Sequence, residues 1–468
     1  MAKSMDRMNY FDAADLPTIR REYPLGREFT RRFTRMSRDE LRSIQDKRFL
    51  AVMRFAWKVP FYQRHWGRSG VEAEDIKSLD DLAKLPAYSK TELMQSVEQF
   101  PPIGDFHGID AHPPGRRPPL VFQTTSGTTG KPQPLLFGPK SREIQNILLA
   151  RNYLLQGMRQ DDVVHSVYGF GMVNGGHYIR ETIVHWIGAQ LLTAGTGIET
   201  RSAQQVVLMR DFGATVLTGF GDFVKRLAQT ARENGIEPGK DIRLRMITGH
   251  LGAEGRELMS EAWGGCDVYD WYGVGDTGIV AGEGPDQSGM YVMEDAQYVE
   301  LLDPDTGRPV AEGKPGDIVC TCLFKDDIFP IIRFNTRDIT EEIPGASPIG
   351  LPFRRILGFR GRSDNMVKLR GINVYPTGIG ALLVAERPEF NGEYACELDR
   401  AGSRDEMTVR AEIRGAPGDA LRAAYEELLR ARLGVEVKVI LERPGALAEI
   451  TGIESRQKPI RLIDKRKR

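Results

Sequence analysis

The residues that most plainly invite chemistry lie at 124–132, in the run TTSGTTGKP. Hydroxyl side chains alternate with glycines here, so backbone amides can approach a phosphate chain while Ser and Thr hydroxyls donate to its oxygens. Lys131 adds a positive charge. The run is not a Walker A loop, because GxxxxGK[ST] needs four residues between its glycines and two separate Gly127 from Gly130. Taken alone it also fits a flexible surface turn. Placed after the apolar strand LVFQT at 120–124, it reads as a phosphate-binding loop.

Four further motifs follow in order: DWYGVGD at 270–276, RFNTRD at 333–338, GRSDNMVKLRG at 361–371 and RQKPIRLID at 456–464. With the loop, they resemble the motif series of the adenylate-forming superfamily of acyl-CoA synthetases, peptide-synthetase adenylation domains and luciferases. The finer wording is similar to the phenylacetate–CoA ligase branch: VPFY at 59–62, SLDDLAKLP at 78–86, YGFG at 168–171, DPDTG at 303–307 and GINVYP at 371–376. The resemblance covers the chain from about residue 45 onward.

It implies an α/β fold with a large N-terminal domain, residues 1–362, of mixed sheets and crossover helices that binds ATP and an acid. A small mobile α+β domain, 364–468, would carry the catalytic lysine. The implied reaction turns a carboxylic acid, expected to be aromatic, and ATP into an acyl-adenylate, then passes the acyl group to CoA. Mg2+ is the implied metal, and a homodimer is the branch's expected assembly.

The resemblance also assigns roles. Thr125, Ser126, Gly127, Thr128, Thr129, Gly130 and Lys131 would hold the phosphates. Gly252, Ala253, Glu254 and Asp270 would line the adenine, and Trp271, Tyr272 and Gly273 would also belong to the ATP/AMP site. Asp338 would accept from the ribose hydroxyls, Arg362 would reach the nucleotide, and Asp276 would ligate Mg2+. Lys458 would stabilise charge on the α-phosphate, and Asp364 would be the hinge. Tyr168, Phe170, His177, Gly249 and His250 would line the acid pocket. Each aromatic alone also fits plain core, and each histidine a hydrogen-bonded buried position. The roles are physically coherent: a carboxylate attacking the α-phosphorus brings two anions together, so the site needs cations and aimed donors.

Some positions depart from that pattern. Asp276 stands where glutamate is usual, Gly275 replaces Ser or Thr, Gln457 replaces Gly and Asn335 breaks the common RxRTRD wording. Residues 281–291 hold neither Cys nor His, so the zinc cluster of some relatives is not expected. The departures keep open a ligase that passes its acyl group to an amine, a hydroxyl, a carrier-protein thiol or another non-CoA acceptor. A nucleotide-binding sensor or inactive scaffold on the same fold is the reading from another class.

Elements must position these residues. Leu41, Ile44, Phe49, Val52 and Phe55 recur at helical spacing, which predicts an amphipathic helix over 39–59 ending at Pro60. Short apolar runs at 163–168, 189–192, 214–217 and 245–247 alternate with helix-like stretches such as 143–156 and 222–233, the pattern of parallel strands with crossover helices. Farther on, 407–413 and 435–441 alternate apolar and polar like half-buried strands. Between them 420–433 reads as a helix capped by Asp419.

Bulk properties exclude several function classes. At 468 residues the chain is too long for one core and suits two or three domains. Hydrophobic residues are 41% and charged residues 27%, with 64 basic and 64 acidic side chains. That balance gives no basic excess for a nucleic acid or an anionic membrane, and the run Lys465-Arg-Lys-Arg468 reads as a solvated tail. Among four cysteines there is no CxxC pair. Cys320 and Cys322 would share a strand face, which suits packing better than a metal site. The N-terminal region lacks an apolar signal core and no long apolar run appears, so a reduced, cytoplasmic location is expected.

Overall fold

The computed structural model describes residues 8–467 apart from 126–130, 252–254, 366, 371, 402–403 and 454–458. The chain forms two units that interleave in sequence. One comprises Met1–Asp161, Phe170–Gln190 and Trp271–Gly358; the other comprises Asp162–Gly169, Leu191–Asp270 and Phe359–Arg468.

In the first unit the helix expected at 39–59 spans Arg38–Ala56. Its start is set by a reciprocal cap: the Glu40 amide donates to Ser37 Oγ at 3.2 Å and the Ser37 amide to Glu40 Oε2 at 2.8 Å. Pro60 opens the next helix, Pro60–Gly67, because a first-turn residue needs no amide hydrogen. The helix Pro139–Leu155 begins before the expected 143 and is buried at nearly every position. One polar residue on it is paired in the interior: Arg151 meets Asp295 at 2.9 Å with both side chains wholly buried, an arrangement that fixes position more than it adds stability.

Three antiparallel strands, Gln297–Leu302, Gly316–Cys322 and Phe334–Thr340, form one sheet of this unit, with Tyr88–Ser89 added in parallel. Cys320 and Cys322 are free and buried on the middle strand, as packing residues should be. A second ladder pairs Trp271–Val274 with Gly278–Glu283, then Met290–Val292, then Arg355–Ile356, all antiparallel. The hairpin Val121–Thr124 with Pro134–Phe137 closes at Thr124 opposite Pro134.

The second unit contains the expected strand–helix alternation. Val163–Ser166, Val216–Phe220, Met246–His250 and residues 267–270 run parallel in that order. Between the strands lie the helices Ser202–Asp211, Gly221–Glu233 and Arg256–Ala262. Leu217, Ile247 and Val268 pack with Val206, Leu227 and Trp263 in one apolar core, and the first three strands are buried along most of their length rather than at alternate residues.

Later in the same unit, Phe390–Ala401 and Arg404–Ile413 pair antiparallel, with Lys438–Glu442 and Leu462–Asp464 added in parallel at the edges. The helix Asp419–Leu433 contributes Tyr425 and Leu429 to their core. Its cap differs from the expectation. Gly418 is the N-cap and makes no side-chain bond, while Asp419 is the first helical residue. There a carboxylate still favours the positive end of the helix dipole. Among the described residues no helix is long and apolar enough to cross a membrane.

Candidate active site

The hairpin brings together the two ends of the Ser/Thr/Gly loop. The Thr125 amide donates to the Gln133 carbonyl at 3.0 Å, and the Gln133 amide to Thr125 Oγ1 at 3.1 Å. Lys90 Nζ reaches the same hydroxyl at 3.4 Å, from the first position of the helix Lys90–Gln99. Lys131 is exposed. Ser126, Gly127, Thr128, Thr129 and Gly130 lie outside the described residues, as do Gly252, Ala253, Glu254 and Lys458.

Asp276 follows the strand Asp267–Val274 in the turn before Gly278–Glu283. Gln133 Nε2 donates to Asp276 Oδ1 at 2.6 Å. The turn is held from its backbone too: Asn174 Nδ2 donates to the Gly275 carbonyl at 3.1 Å, and Asn174 Oδ1 accepts from Arg142. Burial pushes the Asp276 carboxyl above its ordinary range, opposed by the Gln133 bond and by the charges of Lys325 and Lys90. A buried carboxylate whose charge is disfavoured gains most from a cation. Mg2+ suits such a site, since it takes hard oxygen ligands from one or two carboxylates and completes its shell with phosphates and water.

The strand Phe334–Thr340 places Asp338 by means of a bulge. Asp317 pairs with Ile339 and Val319 with Asn335, so Thr336, Arg337 and Asp338 stand opposite the single residue Ile318. Arg337 takes a positive φ of 62° there. Asn335 supports the arch, its Oδ1 accepting from the Arg337 amide at 2.8 Å and its Nδ2 donating to Asp317 Oδ2 at 2.9 Å. The departure from the RxRTRD wording thus has a structural use, since bulges re-aim a side chain. The Tyr272 hydroxyl donates to Asp338 Oδ2 at 2.8 Å and lies 3.1 Å from Thr336 Oγ1. Burial and the Asp338 charge raise the Tyr272 phenol far above its usual range, so it stays a donor. Trp271 is buried, and a Cβ on Gly273 would meet the Gly278 carbonyl oxygen at 2.4 Å.

In the second unit Asp270 sits opposite Gly249 in the parallel ladder, and its Oδ1 accepts the Leu251 amide at 3.0 Å. Gly249 has no alternative, because a Cβ would lie 1.8 Å from the Gly219 carbonyl oxygen. The Tyr168 hydroxyl is 2.8 Å from His250 Nδ1, and Phe220 stacks on the His250 ring at 5.0 Å and 20°. Arg362 and Asp364 form a two-point pair at 2.8 and 2.7 Å on a partly exposed stretch.

In the first unit His177 Nε2 lies 2.8 Å from the carbonyls of both Phe170 and Gly171. Carbonyls only accept, so Nε2 carries a hydrogen. Sequence reading passed over Lys90, Gln133, Asn174 and Thr336. Of these, Lys90 had a signal: it opens the capping box Ser89-Lys-Thr-Glu92.

The chain matches the family described as AMP-binding enzyme over residues 66–321, and the AMP-binding enzyme C-terminal domain over 371–466. A phenylacetate-coenzyme A ligase of Aromatoleum evansii is 30% identical over 449 residues, 92% of this chain and 96% of its own. One from Thermus thermophilus is 28% identical, covering 92% and 98%. Among solved structures, 2-hydroxyisobutyryl-CoA ligase in its postadenylation state superposes with a TM-score of 0.80 at 27% identity, over 93% of this chain and 92% of that one. The same enzyme with CoA in the thioesterification state gives 0.64.

Proposed function

The chain belongs to the AMP-binding enzymes, in the phenylacetate–CoA ligase-like branch, and from that premise we propose that the acid it activates is aromatic. It is an AMP-forming acid–CoA ligase. ATP and a carboxylic acid give an acyl-adenylate and pyrophosphate, and the CoA thiol then takes the acyl group and releases AMP.

The aromatic reading is carried by the ring cluster at one end of the parallel strands. Tyr168, Phe220 and His250 are joined by a hydrogen bond and a stack, and such a set of ring faces suits a flat aromatic acid. The relatives from Aromatoleum evansii and Thermus thermophilus are phenylacetate-coenzyme A ligases. The likeness to 2-hydroxyisobutyryl-CoA ligase favours a second reading, a branched 2-hydroxy acid. Comparing kcat/KM for phenylacetate, benzoate and 2-hydroxyisobutyrate decides between them. A preference of the aryl acids over the hydroxy acid supports the first reading, and the reverse order overturns it.

The proposed roles follow from charge. Asp338, held by the bulge and by Tyr272, accepts from the two ribose hydroxyls. Lys90 and Lys131 bring positive charge to the loop that takes the β- and γ-phosphates. Lys458 steadies the α-phosphate as the acid's carboxylate attacks. Asp276, oriented by Gln133, is the Mg2+ ligand; bound there, the metal would neutralise phosphate charge and help pyrophosphate leave. The division at Asp364 into an ATP- and acid-binding part, 1–362, and a lid, 364–468, belongs to the same proposal. Its hinge would act by backbone rotation at a few residues.

A further inference from the structure

Gln133 is wholly buried, yet it does not behave as a packing residue. Its backbone is bonded in both directions to Thr125. Its side-chain nitrogen donates across 143 positions of sequence to Asp276 at 2.6 Å. Its Oε1 is buried and has no hydrogen-bond partner among the described residues. A buried amide that leaves its oxygen unpaired is costly, and the compensation is a charge-assisted bond from its nitrogen to a carboxylate. The opposite amide orientation would set two acceptors against each other.

Asp276 has one methylene less than glutamate, so its carboxylate cannot swing out from the backbone to find a ligand. Its place is set by the turn, which Asn174 pins at Gly275, and by whatever grips the carboxylate itself. We infer that Gln133 is the positioning residue for Asp276: it fixes the carboxylate to the end of the phosphate loop and thereby compensates for the shorter side chain. Oδ1 is held, so Oδ2 is the oxygen that would be offered to a metal. The inference rests on the reading of Asp276 as the Mg2+ ligand.

The test separates metal from nucleotide. Mn2+ is titrated by electron paramagnetic resonance into enzyme carrying α,β-methylene-ATP, which cannot be adenylated through. Affinity for the same nucleotide is measured by calorimetry in EDTA. Gln133→Leu should raise the half-saturating Mn2+ concentration about 10- to 100-fold, as loss of an outer-shell partner does, and leave the metal-free nucleotide affinity unchanged. Gln133→Glu keeps the shape, cannot donate when ionised, and should do the same. Adding Asp276→Glu to Gln133→Leu should recover most of the metal affinity. Wild-type Mn2+ affinity in both single variants, or equal weakening with and without metal, overturns the assignment. Asp276→Ala reports on the premise separately: if it too leaves Mn2+ binding unchanged, the metal role of Asp276 fails rather than that of Gln133.

Discussion

Asp338 is held by Tyr272 from one side of the bulge and by the arch that Asn335 ties from the other. In the proposed role, removing the carboxylate would remove two charge-assisted bonds to a ribose. Asp338→Ala should therefore weaken ATP binding by about 2–3 kcal/mol, roughly 30- to 150-fold; calorimetry showing unchanged affinity would undo the ribose role. Lys458→Ala should slow adenylation about 100- to 1000-fold, the usual effect of losing one aimed charge on a developing anion. Thioester formation from supplied acyl-adenylate should be much less affected, and equal loss of both half-reactions would argue against the role proposed for Lys458. The motifs that hold these charged residues stood out in the sequence because phosphate and ribose chemistry, the roles proposed for them, restricts which side chains can serve. Gln133 and Asn174 were not. An amide has no chemistry of its own to announce it, and its meaning here depends on a partner 143 or 101 residues away.

Strand spacing explains the glycines better than flexibility does. At Gly249 the neighbouring strand's Gly219 carbonyl occupies the place of a Cβ, so two strands that must pair in register leave no room for one. Gly249→Ala should lower unfolding free energy by about 3 kcal/mol, the upper end of ordinary overpacking. A variant that melts like the wild type in a denaturant titration would mean the strands separate easily. At the start of the helix Arg38–Ala56, Ser37→Ala should cost about 1 kcal/mol through loss of the cap. Periodicity made these elements visible before the structure, to within a few residues. What it missed were the ends, where a proline at 60 starts a helix instead of stopping one and Gly418 caps in place of Asp419. Those depend on local φ and hydrogen bonding rather than on hydrophobic spacing. The bulge at 336–338 was equally hidden, because strand residues and arch residues are of the same types.

Each unit buries a histidine that must stay neutral. Burial lowers His107 in the first unit to about 3 and His165 in the second to about 4. The Gln205 side-chain nitrogen donates to the carbonyls of Gly195, Thr196 and Thr200, so its Oε1 must accept from His165 Nε2. Unfolded histidine takes a proton near pH 6.5 while these folded ones do not. Stability is therefore full above that pH and falls as pH drops from about 6.5 towards 4, by about 1.4 kcal/mol per unit for each group. Urea unfolding between pH 7 and 5 should show this slope, and His165→Gln should remove about half of it. An unchanged slope would mean His165 is protonated in the fold. At this scale motif order carries the expectation of a division at Asp364, and that division stays part of the proposal. The interleaving of two units was not, because it arises from strands far apart in sequence. The central claim is acid activation followed by transfer to CoA, and its most direct test is pyrophosphate release from ATP and Mg2+ with a panel of acids, each with and without CoA. The account expects release that depends on the acid, with a thioester formed only when CoA is present. Release that ignores the acid, or no release with any acid, would contradict it.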